Sequence, residues 1–262
     1  MFGNGKNLKK LRKGVLDTEK RKDFVIEDDS QFNVVESFRK LKASLSVSIP
    51  KTGKGGVSIM FTSSYPEDGK TTVSVNIAKT FAMSSKARVV IVDTDIRKGR
   101  VAKFFKSENK PGLSECLSGQ ADLDEVIKKL DGDTTLDFIP CGTPSPKPYE
   151  LLESQAMKEL DKKLRERYDY VIYDTSPMLL VSDALAVATV VDGAVVVCRH
   201  LRSYMSDLCK TVNTLRFSKV NVLGVVVNDF QRGVKKELGY KNYYEDGYYA
   251  YGTEEKDPTA QN

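Results

Sequence analysis

One ten-residue stretch, residues 63–72, constrains the fold of this chain more than any other. It reads Ser-Ser-Tyr-Pro-Glu-Asp-Gly-Lys-Thr-Thr, follows an apolar run at 57–61 and precedes a helical pattern at 73–83. A strand, a tight loop and a helix bearing Gly-Lys-Thr form the layout of a phosphate-binding P-loop. Backbone N–H groups of such a loop make a concave nest for phosphate oxygens, and the helix N-terminus adds partial positive charge. The stretch therefore predicts a nucleotide site.

The residue types within this stretch suit phosphate chemistry. We expect Lys70 to reach the β- and γ-phosphates of a nucleotide and the Thr71 hydroxyl to ligate Mg²⁺. Ser64 stands where the motif G-x-x-x-x-G-K-[ST] has its first glycine, so a Gly-Lys-Thr turn that only caps a helix is the alternative. The residues predicted to bind the nucleotide here are Ser64, Pro66, Glu67, Asp68, Gly69, Lys70, Thr71 and Thr72.

Two further apolar runs end in carboxylates. Residues 89–92 are Val-Val-Ile-Val and are followed by Asp93 and Asp95, while residues 170–173 are Tyr-Val-Ile-Tyr and are followed by Asp174. Runs of this kind indicate strands that are buried on both faces of a parallel sheet. Ligands of open α/β sheets bind at the carboxyl ends of the strands, which is where these acids lie.

The three acids gain their significance from the P-loop. Taken singly, each is more often an ordinary strand-end residue or a helix cap than a ligand. Taken together with Lys70, they have the charges needed to hold Mg²⁺ and a triphosphate. We therefore predict Thr71, Asp95 and Asp174 as metal ligands, partly through water because Mg²⁺ dehydrates reluctantly.

Length and composition bound the fold class. A chain of 262 residues can bury one large core, and its aliphatic strands alternate with helical stretches. This alternation predicts an α/β fold of the P-loop NTPase type, with a doubly wound, mostly parallel sheet and helices on both faces. The net charge of +5 comes without a basic stripe interleaved with aromatic residues, which argues against a nucleic-acid partner.

Cysteine usage and hydropathy indicate the compartment. The four cysteines form no CxxC pair, and a single histidine cannot build a His-based metal site. Reduced thiols fit a cytoplasmic protein. No apolar run reaches the roughly 18 residues that span a bilayer, and the N-terminus lacks the apolar segment of a signal peptide. We therefore expect a cytoplasmic chain that reaches the membrane through a partner or a weak surface contact.

The two ends of the chain differ in composition from its middle. Residues 1–30 are rich in Lys and Arg and predict a flexible basic arm, either simply solvated or attracted to anionic lipid. Residues 31–238 are predicted to form the P-loop domain. Residues 239–262 lack periodicity and large aliphatic residues, which predicts a flexible tail. This tail holds half of the twelve tyrosines of the chain, namely Tyr240, Tyr243, Tyr244, Tyr248, Tyr249 and Tyr251.

Periodicity places several other elements. Apolar residues at three- and four-residue spacing predict an amphipathic helix from Phe32 to Val47. Single helices are predicted at 124–130 and at 149–168. Between them, the proline-rich stretch 142–148 predicts a stiff, extended loop, since proline fixes φ and removes a donor.

These features together closely resemble the bacterial tyrosine kinases, the P-loop autokinases of capsule and exopolysaccharide biosynthesis. The resemblance runs from about Phe32 to Tyr251 and looks like the stand-alone cytoplasmic form of the family. Tyr65 stands where partitioning and division-site ATPases have a signature lysine, which favours a kinase over an ATP-hydrolysing, partner-binding switch. The matching motifs are residues 62–72 as Walker A, 91–97 as Walker A′, 171–177 as Walker B, the stretch 142–152 and the tyrosine-rich end.

The resemblance implies a chemistry and a cofactor set. It implies an autokinase that uses ATP and Mg²⁺ to phosphorylate the six tail tyrosines in trans. By resemblance, Asp93 is the catalytic base that helps to deprotonate the tyrosine hydroxyl, with the alternative that it only tunes the metal. Asn228, at the end of the last core strand, takes the place of the family's adenine-binding asparagine, with a purely structural asparagine as the alternative.

The resemblance also implies partners. The family assembles into rings through an E-x-x-R-x-x-R helix, which here offers Glu36, Arg39 and Lys42. Lys42 cannot make the planar bidentate contact of the arginine that it replaces, so assembly is expected to be weaker or different. A surface helix with a local ion pair is the alternative. The remaining implied partners are the cytoplasmic tail of a transmembrane polysaccharide co-polymerase that activates the kinase, and a cognate phosphatase.

Overall fold

A seven-stranded sheet runs through the computed structural model, which describes residues 25–27, 30–49, 55–85, 87–130 and 135–230. The order of the strands across the sheet is β3-β4-β2-β5-β1-β6-β7. Neighbouring strands are parallel except for β3, which is antiparallel to β4, so the predicted mostly parallel sheet is confirmed. The strands are β1 (Val57–Ser63), β2 (Val89–Asp93), β3 (Lys128–Lys129), β4 (Leu136–Ile139), β5 (Tyr170–Asp174), β6 (Gly193–Arg199) and β7 (Val222–Asn228).

Nine helices accompany the sheet within the described ranges. They are α1 (Phe32–Ser48), α2 (Lys70–Ser85), α3 (Val101–Phe104), α4 (Leu113–Leu117), α5 (Leu123–Val126), α6 (Pro148–Glu153), α7 (Gln155–Arg167), α8 (Asp183–Ala188) and α9 (Met205–Phe217). The described residues up to Asn228 belong to one compact unit, and Asp229 and Phe230 are grouped with the segment that follows. The six tail tyrosines and the first 24 residues of the basic arm lie outside the described residues.

Alternate residues of the strands pack into two separate cores. In β1, Ile59 and Phe61 join a core beneath α2, while Met60 joins the core on the opposite face beneath α7, α8 and α9. This period of two is the geometry of a strand that is buried on both sides. Helices therefore cover both faces of the sheet, as the apolar runs predict.

The strand register brings the acidic strand ends together. Asp93 at the end of β2 is the register partner of Asp174 at the end of β5, and Asp174 is also aligned with Phe61 of β1. β1 continues directly into the P-loop. Since parallel strands end at the same edge of a sheet, the loop and both acids meet there.

Two helix predictions are wrong in their bounds. The stretch 149–168 is two helices, α6 and α7, because Ser154 is extended and its side chain accepts a hydrogen bond from Met157 N, as an N-cap does. The stretch 124–130 forms only the short α5 and then β3. Pairing of β3 with β4 takes those residues out of the helix, which is a tertiary contact that local propensity cannot reveal.

Packing extends N-terminally beyond α1. Ile26 is 4% exposed, and its N–H donates to Asn76 Oδ1 on α2 at 2.6 Å. Asn76 in turn donates to Thr72 O. Ile26 lies inside the stretch for which composition predicts a flexible arm, so at least this residue packs against the helix that follows the P-loop.

Candidate nucleotide site

The P-loop, residues 64–69, turns sharply between β1 and α2. Its backbone enters the left-handed region at Glu67, with φ of 66°, and at Gly69, with φ of 95°. A Cβ at Gly69 would lie 1.9 Å from Nδ2 of Asn228, so only glycine fits there. Glu67 is a side-chain-bearing residue in a region that favours glycine, and it needs support from its surroundings.

Ser64 accounts for the departure from the glycine motif. It is 1% exposed, and its hydroxyl shares a hydrogen bond with Thr211 Oγ1 of α9 at 2.8 Å. The left-handed backbone falls at Glu67 and Gly69 rather than at Ser64. A side chain is therefore tolerated at the first position, where it ties the loop to a neighbouring helix.

Lys70 lies between two of the predicted metal-binding carboxylates. Its Nζ is 3.4 Å from Asp95 Oδ2 and 3.6 Å from Asp174 Oδ2. The Thr71 hydroxyl donates to Asp174 Oδ2 at 2.7 Å, and Ser74 Oγ donates to the other oxygen of Asp174 at 3.1 Å. Residues from the P-loop and from the two acidic strand ends thus lie in one cluster.

Burial and mutual repulsion shift the proton affinities of this cluster. Burial and the nearby charge of Asp174 raise the pKa of Asp93 to about 8. Burial also raises the pKa of Asp174, although Lys70 and Thr71 oppose the shift. Burial alone would lower the pKa of Lys70, but the surrounding carboxylates outweigh it and raise this pKa. A cluster with more carboxylates than cations has room for further positive charge.

Asp93 is enclosed by the turn that follows β2. It is fully buried, and its two oxygens accept hydrogen bonds from the N–H groups of Asp95 at 3.2 Å and Val101 at 2.9 Å. A Cβ at Gly99 would lie 2.6 Å from Asp93 Oδ2 and 2.4 Å from Cys141 Sγ. The glycine therefore lets the backbone close over the carboxylate.

The donor set fits Mg²⁺ that is shared with phosphate and water. Thr71, Asp95 and Asp174 present hard oxygen atoms, which Mg²⁺ prefers. Among the described residues, no group of three or more His, Cys, Asp or Glu side chains forms a metal cage by itself. Ser176, two residues after Asp174, has the one buried side-chain polar atom in the described ranges without a hydrogen-bond partner. An unpaired hydroxyl just after the carboxyl end of β5 is consistent with a ligand-binding edge.

The other predicted ATP-binding residues flank the cluster. Pro66 and Glu67 are exposed at the tip of the loop, whereas Asp68 is 2% exposed. Thr72 lies in the first turn of α2. Asn228 ends β7, and its Nδ2 donates to Asp68 O at 3.1 Å, so it contacts the P-loop backbone.

Sequence reasoning missed the residues that hold the P-loop from the side. Arg199, Arg202, Ser203 and Thr211 lie at or after the end of β6 and contact the loop. No motif marks them. Their position near the carboxyl end of a strand beside β1 is the only signal that could have found them.

The predicted assembly residues lie on α1. Arg39 Nη1 is 3.9 Å from Glu36 Oε2, a local pair between an exposed arginine and a half-buried glutamate. Lys42 Nζ lies 5.9 Å from the centroid of the Phe81 ring on α2, within cation–π range. In the described ranges, no helix has the length and apolar character of a membrane span.

The known proteins that this chain resembles include several tyrosine kinases. A family model described as an AAA domain matches residues 54–223. The tyrosine-protein kinase YwqD of Bacillus subtilis is 32% identical over 78% of this chain and 85% of its own length. The tyrosine-protein kinase ptk of Acinetobacter johnsonii is 32% identical over 84% of this chain. The solved kinase domain of the Escherichia coli tyrosine kinase ETK superposes with a TM-score of 0.72 at 30% identity, covering 89% of this chain and 91% of that domain.

The relatives differ in length. This chain spans 85% of the Bacillus kinase but only 30–33% of the Acinetobacter protein and of two similar Ralstonia proteins. The region that the family model matches includes the P-loop and both acidic strand ends.

Proposed function

Because the chain belongs to the bacterial tyrosine kinase family, we propose that it transfers the γ-phosphoryl group of ATP to protein tyrosine. The observation that supports this most directly is the placement of Lys70 beside Asp95, Asp174 and Thr71 at the carboxyl edge of the sheet. Phosphoryl transfer depends mainly on positioning and on neutralising charge, and this cluster offers both.

Lys70 and the metal ligands have separate tasks in this proposal. Lys70 turns from Asp95 and Asp174 towards the β- and γ-phosphates when ATP binds. Thr71, Asp95 and Asp174 are the residues that would hold Mg²⁺, which would neutralise the charge that develops on the phosphoryl oxygens. The backbone of the P-loop, including Gly69, lines the phosphates.

Asp93 is proposed as the base that receives the tyrosine proton. A tyrosine hydroxyl has a pKa of about 10. Burial raises the pKa of Asp93 in the nucleotide-free chain, and a cation held by Asp95 and Asp174 would lower it, so that Asp93 could accept the proton as a carboxylate. Each oxygen of Asp93 accepts one hydrogen bond from a backbone N–H group, which leaves a second lone pair on each oxygen for the tyrosine proton.

The proposed substrates are the six tyrosines of the C-terminal segment, which a neighbouring subunit phosphorylates in trans. The neighbours assemble into a ring through Glu36, Arg39 and Lys42 on α1. Each phosphate adds about −1.5 to −2 charges at pH 7, which loosens the ring and limits the reaction. A cognate phosphatase reverses the mark.

Regulation is proposed to come from the membrane. The cytoplasmic tail of a transmembrane polysaccharide co-polymerase docks beside the site, orders it, and recruits the chain to the inner face of the membrane. Phosphorylation then regulates capsular or exopolysaccharide synthesis and export. The isolated chain is accordingly expected to be weakly active and to be stimulated by that tail.

A mixing experiment tests the function. Lys70→Met with an intact tail is combined with an active chain truncated after Gly239, and tyrosine labelling from γ-labelled ATP is followed with and without the activator tail. Label on the Lys70→Met chain supports transfer in trans. Concentration-independent labelling of the wild type, with no label in the mixture, refutes transfer in trans. Nucleotide hydrolysis without any phosphotyrosine would refute the kinase and point to an ATPase switch.

A further inference from the structure

The P-loop carries a buried negative charge close to where a polyphosphate is to bind. Asp68 is 2% exposed and lies directly before Gly69 and Lys70. A carboxylate directed at phosphate would weaken binding, because like charges repel strongly at short range in a partly buried site. The direction of this side chain is therefore informative.

The Asp68 carboxylate is engaged away from the Lys70 cluster. Asp68 Oδ1 accepts a hydrogen bond from the Ser203 hydroxyl at 2.8 Å, and Oδ2 accepts one from Tyr65 N at 3.2 Å. Ser203 Oγ also accepts a hydrogen bond from Arg199 N at 2.7 Å, which closes the turn from Arg199 to Ser203 on itself. The Ser203 hydroxyl thus connects the hydrogen-bonded turn after β6 to the Asp68 carboxylate in the P-loop.

The same turn supports the left-handed residue of the loop. Arg202 Nη2 donates to Glu67 Oε2 at 2.7 Å, and Arg199 Nη1 lies 3.4 Å from Glu67 O. At the start of the loop, Thr211 on α9 contacts Ser64. The P-loop is therefore held at both ends by residues 199–211, a segment without a motif.

We propose that Ser203 and Thr211 are positioning residues of the nucleotide site, which hold the P-loop through Asp68 and Ser64 in the shape that binds the phosphates of ATP. The proposal rests on the proposed function only for the identity of the nucleotide. An undistorted P-loop presents its N–H groups without reorganisation, so its anchors contribute to affinity rather than to the chemical step.

The test compares nucleotide affinity with turnover in matched variants. Ser203→Ala removes the hydroxyl, Ser203→Thr keeps it, and Thr211→Val removes a buried hydroxyl at nearly constant volume. Thr214→Ala is the control, since the Thr214 hydroxyl donates to Lys210 O on the same helix, away from the loop. Binding of Mg²⁺ with a non-hydrolysable ATP analogue is measured by calorimetry, and thermal unfolding is measured without nucleotide.

We expect Kd for the analogue, and KM for ATP, to rise about tenfold in Ser203→Ala, the equivalent of one lost hydrogen bond to a charged group. A smaller rise is expected in Thr211→Val, and wild-type values in Ser203→Thr and Thr214→Ala. The rate at saturating ATP changes less than KM. Lower thermal stability with unchanged Kd and KM would overturn the proposal and leave only a structural role.

The experiments distinguish a failure of the anchoring role from a failure of the proposed kinase function. Calorimetry does not require phosphoryl transfer, so weak binding by Ser203→Ala supports the anchoring role even if wild type labels no tyrosine. Conversely, unchanged affinity in Ser203→Ala, in a chain that labels tyrosine normally, refutes the anchoring role and leaves the kinase intact.

Discussion

Two buried polar clusters contact the strands β1 and β5, and they are built differently. The first, at the carboxyl end, consists of Lys70, Thr71, Asp93, Asp95 and Asp174 and is called the carboxyl-end cluster. In it, one cation faces three carboxylates, and Lys70 Nζ lies 3.4 Å from Asp95 and 3.6 Å from Asp174. Two of its acids have raised pKa values because they are buried without enough counter-charge.

The second cluster, near the start of β1, is saturated with short hydrogen bonds. It consists of Ser58, Asp161, Arg165, Tyr173 and Asp192 and is called the amino-end cluster. Asp161 accepts from Ser58 Oγ at 2.5 Å, Tyr173 OH at 2.8 Å and Arg165 Nε at 2.7 Å. Asp192 pairs with Arg165 at 2.9 Å and accepts a hydrogen bond from Ser58 N at 2.9 Å.

The contrast shows how one sheet separates stability from function. Similar residue types occupy both clusters, but the donors of the amino-end cluster match its acceptors, which is how buried charge is made tolerable. The carboxyl-end cluster has an excess of negative charge that a metal and a nucleotide can use. Substitutions in the carboxyl-end cluster should therefore lower activity and nucleotide affinity, whereas substitutions in the amino-end cluster should lower the free energy of unfolding.

The largest effect is expected from Lys70→Met. Without its ammonium group the γ-phosphate is poorly positioned and neutralised, and tyrosine labelling should fall by about a thousandfold or more. Thermal stability should change little, because Asp174, whose pKa is raised by burial, can take up a proton when the ammonium group of Lys70 is lost. Lys79→Met on the same helix is the matched control. Near-normal labelling by Lys70→Met would remove Lys70 from the site.

The next effect is expected from Arg165→Met in the amino-end cluster. It leaves Asp161 and Asp192 without their cation and should lower the free energy of unfolding by about 3 kcal/mol, as loss of one partner of a buried ion pair does. Urea unfolding measures this change. Affinity for Mg²⁺ and an ATP analogue should stay at the wild-type value. A large loss of affinity in a folded variant would mean that the clusters are coupled.

The carboxyl-end cluster can be predicted from the sequence and the amino-end cluster cannot, for a physical reason. Phosphate chemistry restricts Lys70, Thr71 and the strand-end acids to fixed places in local motifs, so the motifs alone indicate that these residues meet. The amino-end cluster has no such signature. Asp161 and Arg165 look like an ordinary pair on a charged helix, and only the packing of α7 against β1 and β5 turns them inward.

The remaining differences between expectation and structure also come from tertiary contacts. The proline-rich stretch 142–148 is predicted to be an extended loop, and the described chain has no helix or strand there before Pro148. The break at Ser154 and the short β3 escape detection because a cap and an edge pairing override a helical pattern. Ser203 escapes because its role depends on Asp68, which is 135 residues away in sequence.

A third prediction uses pH and concerns Asp93. Its pKa is raised from the ordinary 3.8 to about 8, so between these values the folded state holds a proton that the unfolded state releases. The stability of the nucleotide-free protein should therefore fall as pH rises from about 4 to about 8, because the unfolded state releases this proton and the folded state keeps it. Urea midpoints across this range measure the slope.

The Asp93→Asn variant tests whether Asp93 causes this pH dependence, since an asparagine side chain cannot release a proton in this range. Its midpoints should vary less with pH than those of the wild type. The Arg165→Met variant retains Asp93 and serves as the comparison, because its slope between about pH 6 and 8 should remain close to that of the wild type. An unchanged slope in Asp93→Asn would assign the pH dependence to other groups.

The smallest effect comes from a matched pair of serines, one in contact with each cluster. Ser58 Oγ donates to Asp161 at 2.5 Å, and Ser74 Oγ donates to Asp174 at 3.1 Å. Ser58→Ala should lower the free energy of unfolding by about 1 to 2 kcal/mol, because the shorter bond satisfies a buried carboxylate. Ser74→Ala should cost less, because its bond is longer and Asp174 keeps the Thr71 hydroxyl on its other oxygen.

In a Mg²⁺ titration of nucleotide binding, the order of the two effects should be reversed, so that Ser74→Ala has the larger effect and Ser58→Ala the smaller. Ser74 helps to hold Asp174 in its charged form by donating to it, so Ser74→Ala should raise the pKa of that acid further and weaken Mg²⁺-dependent nucleotide binding by a few fold. Ser58→Ala leaves the site residues in place, so its affinity should match that of the wild type. Equal effects of both variants in both assays would mean that the two clusters are one cooperative network, and that the separation of stability from function along β1 and β5 does not hold.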